Sequence, residues 1–208
     1  ASFVLNGLVF ASLVSRLPDL RERLGLSNGG LGTLLLAISV GSLLALPSTG
    51  RVIEGIGAGA TVRAGVLADT VGLSTAALGA ALGSLPLAAV GLFVHGVGIG
   101  VWDVAMNVEA AEVERRMRRT VMPRFHAGWS AGSLGGAAVG VVVIALGAPM
   151  LAHLVVVAVL VAVVAVRGAR VFLPAEPEHR EEIQDGRGAG SVWRDPRTLA
   201  IGVMGMCF

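Results

Sequence analysis

Residues 85–108 read LPLAAVGLFVHGVGIGVWDVAMNV, a run with one acid, Asp103, one imidazole, His95, and no basic side chain. At about 1.5 Å of rise per residue it makes a helix roughly 36 Å long, enough to cross a hydrocarbon core about 30 Å thick. Comparable runs cover residues 2–15, 31–49, 64–82, 121–146 and 149–166, and another begins at residue 199. Over the 208 residues, 54% of side chains are hydrophobic and 14% charged, whereas soluble domains carry about 25% charged residues. The composition excludes an ordinary water-soluble domain. The expected fold class is all-α: a polytopic helical membrane protein.

The connections carry the charge. Two are tight, Gly83-Ser84 and Gly147-Ala148, so the runs they join read as helical hairpins. Pro86 and Pro149 stand in the first turn of the helices that follow, where a missing N–H costs little. All 16 basic residues are arginine. With the start of the first run in the cytoplasm, Arg51, Arg63, Arg115, Arg116, Arg118, Arg119, Arg124 and the six arginines from Arg167 to Arg197 fall on that side. Only Arg16, Arg21 and Arg23 fall on the other. Cytoplasmic loops carry the excess of arginine, so the split predicts a multi-pass protein of the cell membrane with a cytoplasmic N-terminus. It also accounts for the net charge of +2 without nucleic acid, which is not expected as a partner.

This layout divides the chain into a six-helix bundle over residues 1–166, a polar cytoplasmic linker over 167–198 and the start of a seventh span over 199–208. The chain opens at Ala1 within one apolar run and closes at Phe208 within another. The expectation is a fragment holding the first of two six-helix halves, monomeric when complete.

Several chemistries drop out. The single cysteine, Cys207, forms no intrachain disulfide and belongs to no metal-binding spacing. The glycine runs at 55–59 and 96–100 echo dinucleotide loops, but neither follows a strand. No Ser/His/Asp set and no H-E-x-x-H motif is present. Neither an enzyme nor a cofactor or metal is expected.

Further strings carry a family likeness. Leu24-Gly25-Leu26-Ser27 followed by Leu31-Gly32 leads into the second span, with Ser27 as a helix cap. Gly50-Arg51-Val52-Ile53-Glu54-Gly55-Ile56-Gly57 is similar to the signature G-x-x-x-D-R-x-G, with Glu54 at the Asp position and Gly55 at the Arg position. Gly100-Val101-Trp102-Asp103-Val104-Ala105-Met106-Asn107-Val108 is followed by Pro123-Arg124-Phe125-His126 and Trp129-Ser130. With these strings the chain resembles the major facilitator superfamily of secondary transporters, in its YbjJ-like branch, near the fucose-permease type. The resemblance implies two inverted three-helix repeats, alternating access, and a small polar solute such as a sugar as substrate. It makes protons a candidate co-substrate and the lipid bilayer the surroundings.

An ionisable group inside a span is costly and is a functional candidate by default. Asp103 is the clearest, and at about 100° per residue Gly96, Gly100, Asp103, Asn107 and Glu114 share one sector of the fourth helix. That sector is expected to face the bundle or its cavity. The functional reading gives Asp103 and Asn107 substrate or proton binding, a role the resemblance also implies; the competing reading is a structural hydrogen bond. Asn6 is the main polar residue of the first span, where an acid is missing, and both a substrate contact and an interhelical hydrogen bond are open to it. His95 reads as packed, and His126 and Arg124 as interfacial anchors.

Gly128, Gly132, Gly136 and Gly140 recur every fourth residue on the fifth helix, the small-xxx-small pattern of close helix packing. The charges Arg51, Glu54, Arg63, Glu112, Arg115 and Arg116 lie at the cytoplasmic ends of the spans. The resemblance implies that they form a gating network, simple solvation being the other reading, and Asp69 could join it. Ala131-Gly132-Ser133-Leu134-Gly135-Gly136 lacks the proline of the antiporter signature. An efflux antiporter of the same fold and a non-transporting sensor are the alternatives.

Overall fold

The computed structural model describes residues 1–172, and they form seven α-helices and one 3-10 turn. The helices are α1 (Ser2–Ser15), α2 (Leu17–Arg23), α3 (Asn28–Ile56), α4 (Ala58–Ala81), α5 (Leu85–Met117), α6 (Met122–Ala145) and α7 (Met150–Gly168). Ala169–Val171 is the 3-10 turn. Five of these, α3 to α7, are long and apolar enough to cross a membrane, and α1 with α2, bent by 42° at their break, meets the same test taken as a pair. The protein is an all-α, multi-pass membrane protein. The expected linker beyond residue 172 and the seventh span lie outside the described residues.

Several expected connections are helical instead. Residues 16–23 contain α2, which starts with Pro18 in its first turn. The string from Gly50 to Ile56, expected as a loop, forms the last two turns of α3, and the chain reverses on Gly57 alone, at φ 81°. Residues 109–117 extend α5 to Met117, and α7 runs past residue 166 to Gly168. Pro149 caps α7 rather than standing inside its first turn. The cause is common to most of these differences: hydropathy marks the part of a helix that sits in lipid, whereas Arg and Glu favour helix as strongly as Leu does. Ser27 caps α3 as expected, its hydroxyl accepting from the Gly30 N–H at 3.0 Å.

Alternate helices run in opposite directions, so Gly57, the α5–α6 turn and the end of α7 lie at one face of the bundle, the near face. The α1–α2 break and the Gly83 and Gly147 turns lie at the far face.

The tightest packing joins α4 to α5. A Cβ placed on Gly65 would meet the backbone of Trp102, and one on Gly98 that of Asp69. In the same way Gly72 faces His95, Gly91 faces Ala76 and Gly79 faces Ala88. Each step up α4 is matched by an equal step down α5, in alternating intervals of four and three residues. This is a coiled-coil-like seam in which small residues let two antiparallel backbones touch. Helices α1 and α6 pack similarly but in parallel: Gly132 lies against the Val4 carbonyl, Gly136 against the Leu8 carbonyl and Gly140 against the Ser15 hydroxyl. Gly128 meets only a methyl of Val4, at 3.4 Å.

Candidate functional site

Asp103 and Asn107 are brought together one turn apart on α5. The Asn107 amide donates to the Asp103 backbone carbonyl at 2.9 Å and lies 3.4 Å from its carboxylate Oδ1. The sector they were expected to share divides along its length. Gly96 and Gly100 are covered by Ile38 and Ser42 of α3, whereas Asp103 is exposed on the surface of the described bundle and Asn107 is half-buried. Burial toward the bundle interior therefore holds for the glycines and not for the acid. Each glycine removes the side chain that would keep α3 away. The outcome is a carboxylate, with an amide beside it, on an uncovered face of a helix otherwise apolar over its outer half.

Asn6 is held elsewhere. It is buried on α1, and its Oδ1 accepts from Trp129 Nε1 of α6 at 2.9 Å, while its amide nitrogen has no hydrogen-bond partner. One turn earlier, Ser2 Oγ accepts from Trp102 Nε1 of α5 at 2.7 Å. The interhelical bond is thus present at Asn6, with a free donor left over. Around it lie aromatic rings: Phe3 stacks on Phe125 at 5.4 Å between centroids and meets the edge of His126 at 5.5 Å, and Phe10 lies 5.8 Å from Trp129. His126, expected only as an anchor, meets the Phe3 ring edge-on. Helices α1, α5 and α6 thus carry a polar and aromatic group of side chains in their near halves.

At the near face, Glu112 is bonded within α5, accepting from Arg115 Nε at 2.9 Å and Nη2 at 2.7 Å, and from Arg116 Nε at 2.5 Å. Arg51 and Glu54 are exposed in the last two turns of α3, and Arg63 is half-exposed near the start of α4. Glu114 has a different task. Its Oε2 accepts from the backbone N–H groups of Val121 and Met122, both at 2.7 Å, which secures the start of α6. Arg118 makes the intervening reversal at φ 49°.

Two polar clusters escape a reading of one helix at a time. Asp69 joins no near-face network: its Oδ1 lies 2.6 Å from His95 Nδ1, with both side chains 1% exposed. Arg16, counted above as a loop charge, is buried at the α1–α2 break. It donates to His153 Nδ1 at 3.0 Å, to Asp19 at 2.8 Å and to the Ala148 carbonyl at 3.0 Å. Among the described residues no group of three or more His, Cys, Asp or Glu could hold a metal ion.

Comparison with known proteins supplies the lineage. The family description "Major Facilitator Superfamily" matches residues 1–208. An "Uncharacterized transporter y4wD" of Sinorhizobium fredii is 39% identical over 159 residues, which cover 76% of this chain and 41% of that protein. An "Uncharacterized MFS-type transporter" of Yersinia pestis is 35% identical over 136 residues, covering 65% of this chain and 35% of the other. The chain spans well under half the length of these curated relatives.

Proposed function

The chain belongs to the major facilitator superfamily, and from that premise we propose that it serves a secondary transporter which moves a small polar, sugar-like solute across the cell membrane by alternating access. It acts as a carrier and not as an enzyme. The observation that carries the reading is the Asp103–Asn107 pair on an apolar spanning helix, Asp103 exposed and Asn107 half-buried beside it. A carboxylate and an amide one turn apart offer acceptors and a donor to hydroxyl groups. The rings of Phe125, His126 and Trp129 on α6 supply apolar faces suited to the C–H face of a sugar. Asn6, buried on α1, holds the Trp129 ring in position through its bond to Nε1. The YbjJ-like, fucose-permease-type likeness agrees with this solute class, and protons are the proposed co-substrate.

The arginine split favours a cytoplasmic near face and N-terminus. There we assign Arg51, Glu54, Arg63, Glu112, Arg115 and Arg116 to a gate whose contacts change between inward-closed and inward-open states. Since Glu112 is paired within its own helix, recruitment to another helix would exchange those bonds. Gly132, Gly136 and Gly140 keep α6 close to α1 while the bundle moves.

A thermal-shift screen of the full-length protein against sugars and other small polar metabolites tests the reading, followed by counterflow exchange of each hit in proteoliposomes. A solute that stabilises the protein and exchanges supports it. Stabilising solutes that never exchange would favour a sensor instead.

A further inference from the structure

Asp69 and His95 are the pair that the proposed pathway leaves unused. They come from different helices, α4 and α5, and meet at 2.6 Å inside the small-residue seam, where Gly72 lies against the His95 backbone and Gly98 against that of Asp69. Each is twelve residues, roughly 18 Å of helix, from the glycine turn at the nearer end of its helix, Gly57 for Asp69 and Gly83 for His95. With a hydrocarbon core about 30 Å thick, that places both near the bilayer midplane. Few positions are less hospitable to a carboxyl group, and a packing requirement alone would be met by any small apolar pair in the seam.

Resting on the carrier reading, we propose that Asp69 and His95 together form the proton-binding site that couples transport to the proton gradient. In the proton-free state the imidazole is neutral and the adjacent Asp69 carboxylate is ionised, so the pair carries one negative charge. In the loaded state the Asp69 carboxylate takes up one more proton beside the still-neutral imidazole, and the pair is neutral overall. Release returns that proton to water at the opposite face. The two states differ by a full charge at the midplane, so one sealed packing of α4 on α5 cannot suit both equally. That difference is what lets proton occupancy bias helix arrangement.

The surrounding charges leave the pair alone at its depth. Helix α1 has no ionisable side chain, and α3 has only Arg51 and Glu54 in its last two turns. Helix α6 has Arg124 and His126 near its start, and α7 has His153 near its start and Arg167 in its last turn. The charged residues of α2 lie at the far face, with Arg21, Glu22 and Arg23 exposed. On the pair's own helices, Arg63 is nearly two turns from Asp69. Asp103 is just over two turns from His95 on the exposed face, and the remaining α5 charges lie nearer the α6 turn.

The test is infrared difference spectroscopy of the full-length protein in phosphatidylethanolamine–phosphatidylglycerol vesicles over a series of pH steps. The expected result is a carboxylic-acid band that titrates in the wild type, is missing in Asp69→Asn, moves along the pH axis in His95→Gln and survives in Asp103→Asn. Asparagine has nearly the shape of aspartate, so Asp69→Asn preserves the seam; His95→Gln carries the same test if that variant does not fold. A set of bands unaltered by both substitutions overturns the proposal. In transport, Asp69→Asn should lower accumulation driven by a pH gradient at least about tenfold while solute exchange stays within about twofold. Equal loss of exchange and accumulation at an unchanged melting temperature also overturns the coupling role. Absence of exchange in the wild type with every solute would count against the carrier reading instead, and the infrared band would still decide whether the pair binds a proton.

Discussion

Arg16 Nε donates to His153 Nδ1 at 3.0 Å, although the two residues are 137 positions apart in the chain. The bond requires an imidazole with its proton on Nε2, because Nδ1 must accept. With Asp19 and the Ala148 carbonyl as its other partners, the guanidinium ties the α1–α2 break to the α6–α7 turn. A buried arginine with every group engaged is a clamp; with one acceptor removed it becomes a cost. His153→Leu is expected to lower stability by about 1–3 kcal/mol, and His153→Gln, whose amide oxygen can accept, by less than half as much. Melting in detergent by tryptophan fluorescence measures both.

The glycines of α6 are predicted to differ although they occupy one stripe. Gly132→Ala would drive a methyl into the Val4 carbonyl, and overpacking of this kind costs about 1–3 kcal/mol. Gly128→Ala meets only the Val4 methyl at 3.4 Å, and Gly135→Ala meets nothing within 4 Å. These two should be neutral or stabilising by up to about 1 kcal/mol, since Ala favours helix over Gly. Equal melting temperatures for the three variants would contradict this account of the α1–α6 contact.

Glu114→Ala removes the acceptor shared by the N–H groups of Val121 and Met122. Hydrogen bonds to charged groups contribute about 1.5–3 kcal/mol each, and somewhat less where water can substitute. The expected result is faster hydrogen exchange at those two amides, with protection in the middle of α6 unchanged. Glu114→Gln should retain most of the protection.

Hydropathy made the spans readable because it is a local property, and the Asp103–Asn107 spacing was readable because both residues lie on one helix. Partnerships between helices depend on register, and the stripe that suggested itself lay on α6. The seam that packs most closely was nonetheless written into the chain: Gly65, Gly72 and Gly79 recur every seventh residue, as do Gly91 and Gly98. Aligning those two heptads antiparallel would have set Asp69 near His95. Arg16 offered no comparable sign, because an arginine next to a proline-containing charged stretch looks like any loop charge until its three acceptors are assembled from α2, the α6–α7 turn and α7.

The central claim is that the Asp103–Asn107 pair binds the transported solute. The direct measurement is counterflow exchange of the solute found by screening, in proteoliposomes containing the full-length protein, with Asp103→Ala and Asn107→Ala compared to the wild type. Loss of hydrogen bonds to a polar ligand predicts exchange reduced roughly 10- to 100-fold in both variants, at melting temperatures close to that of the wild type. Exchange at the wild-type rate in either variant would contradict the claim.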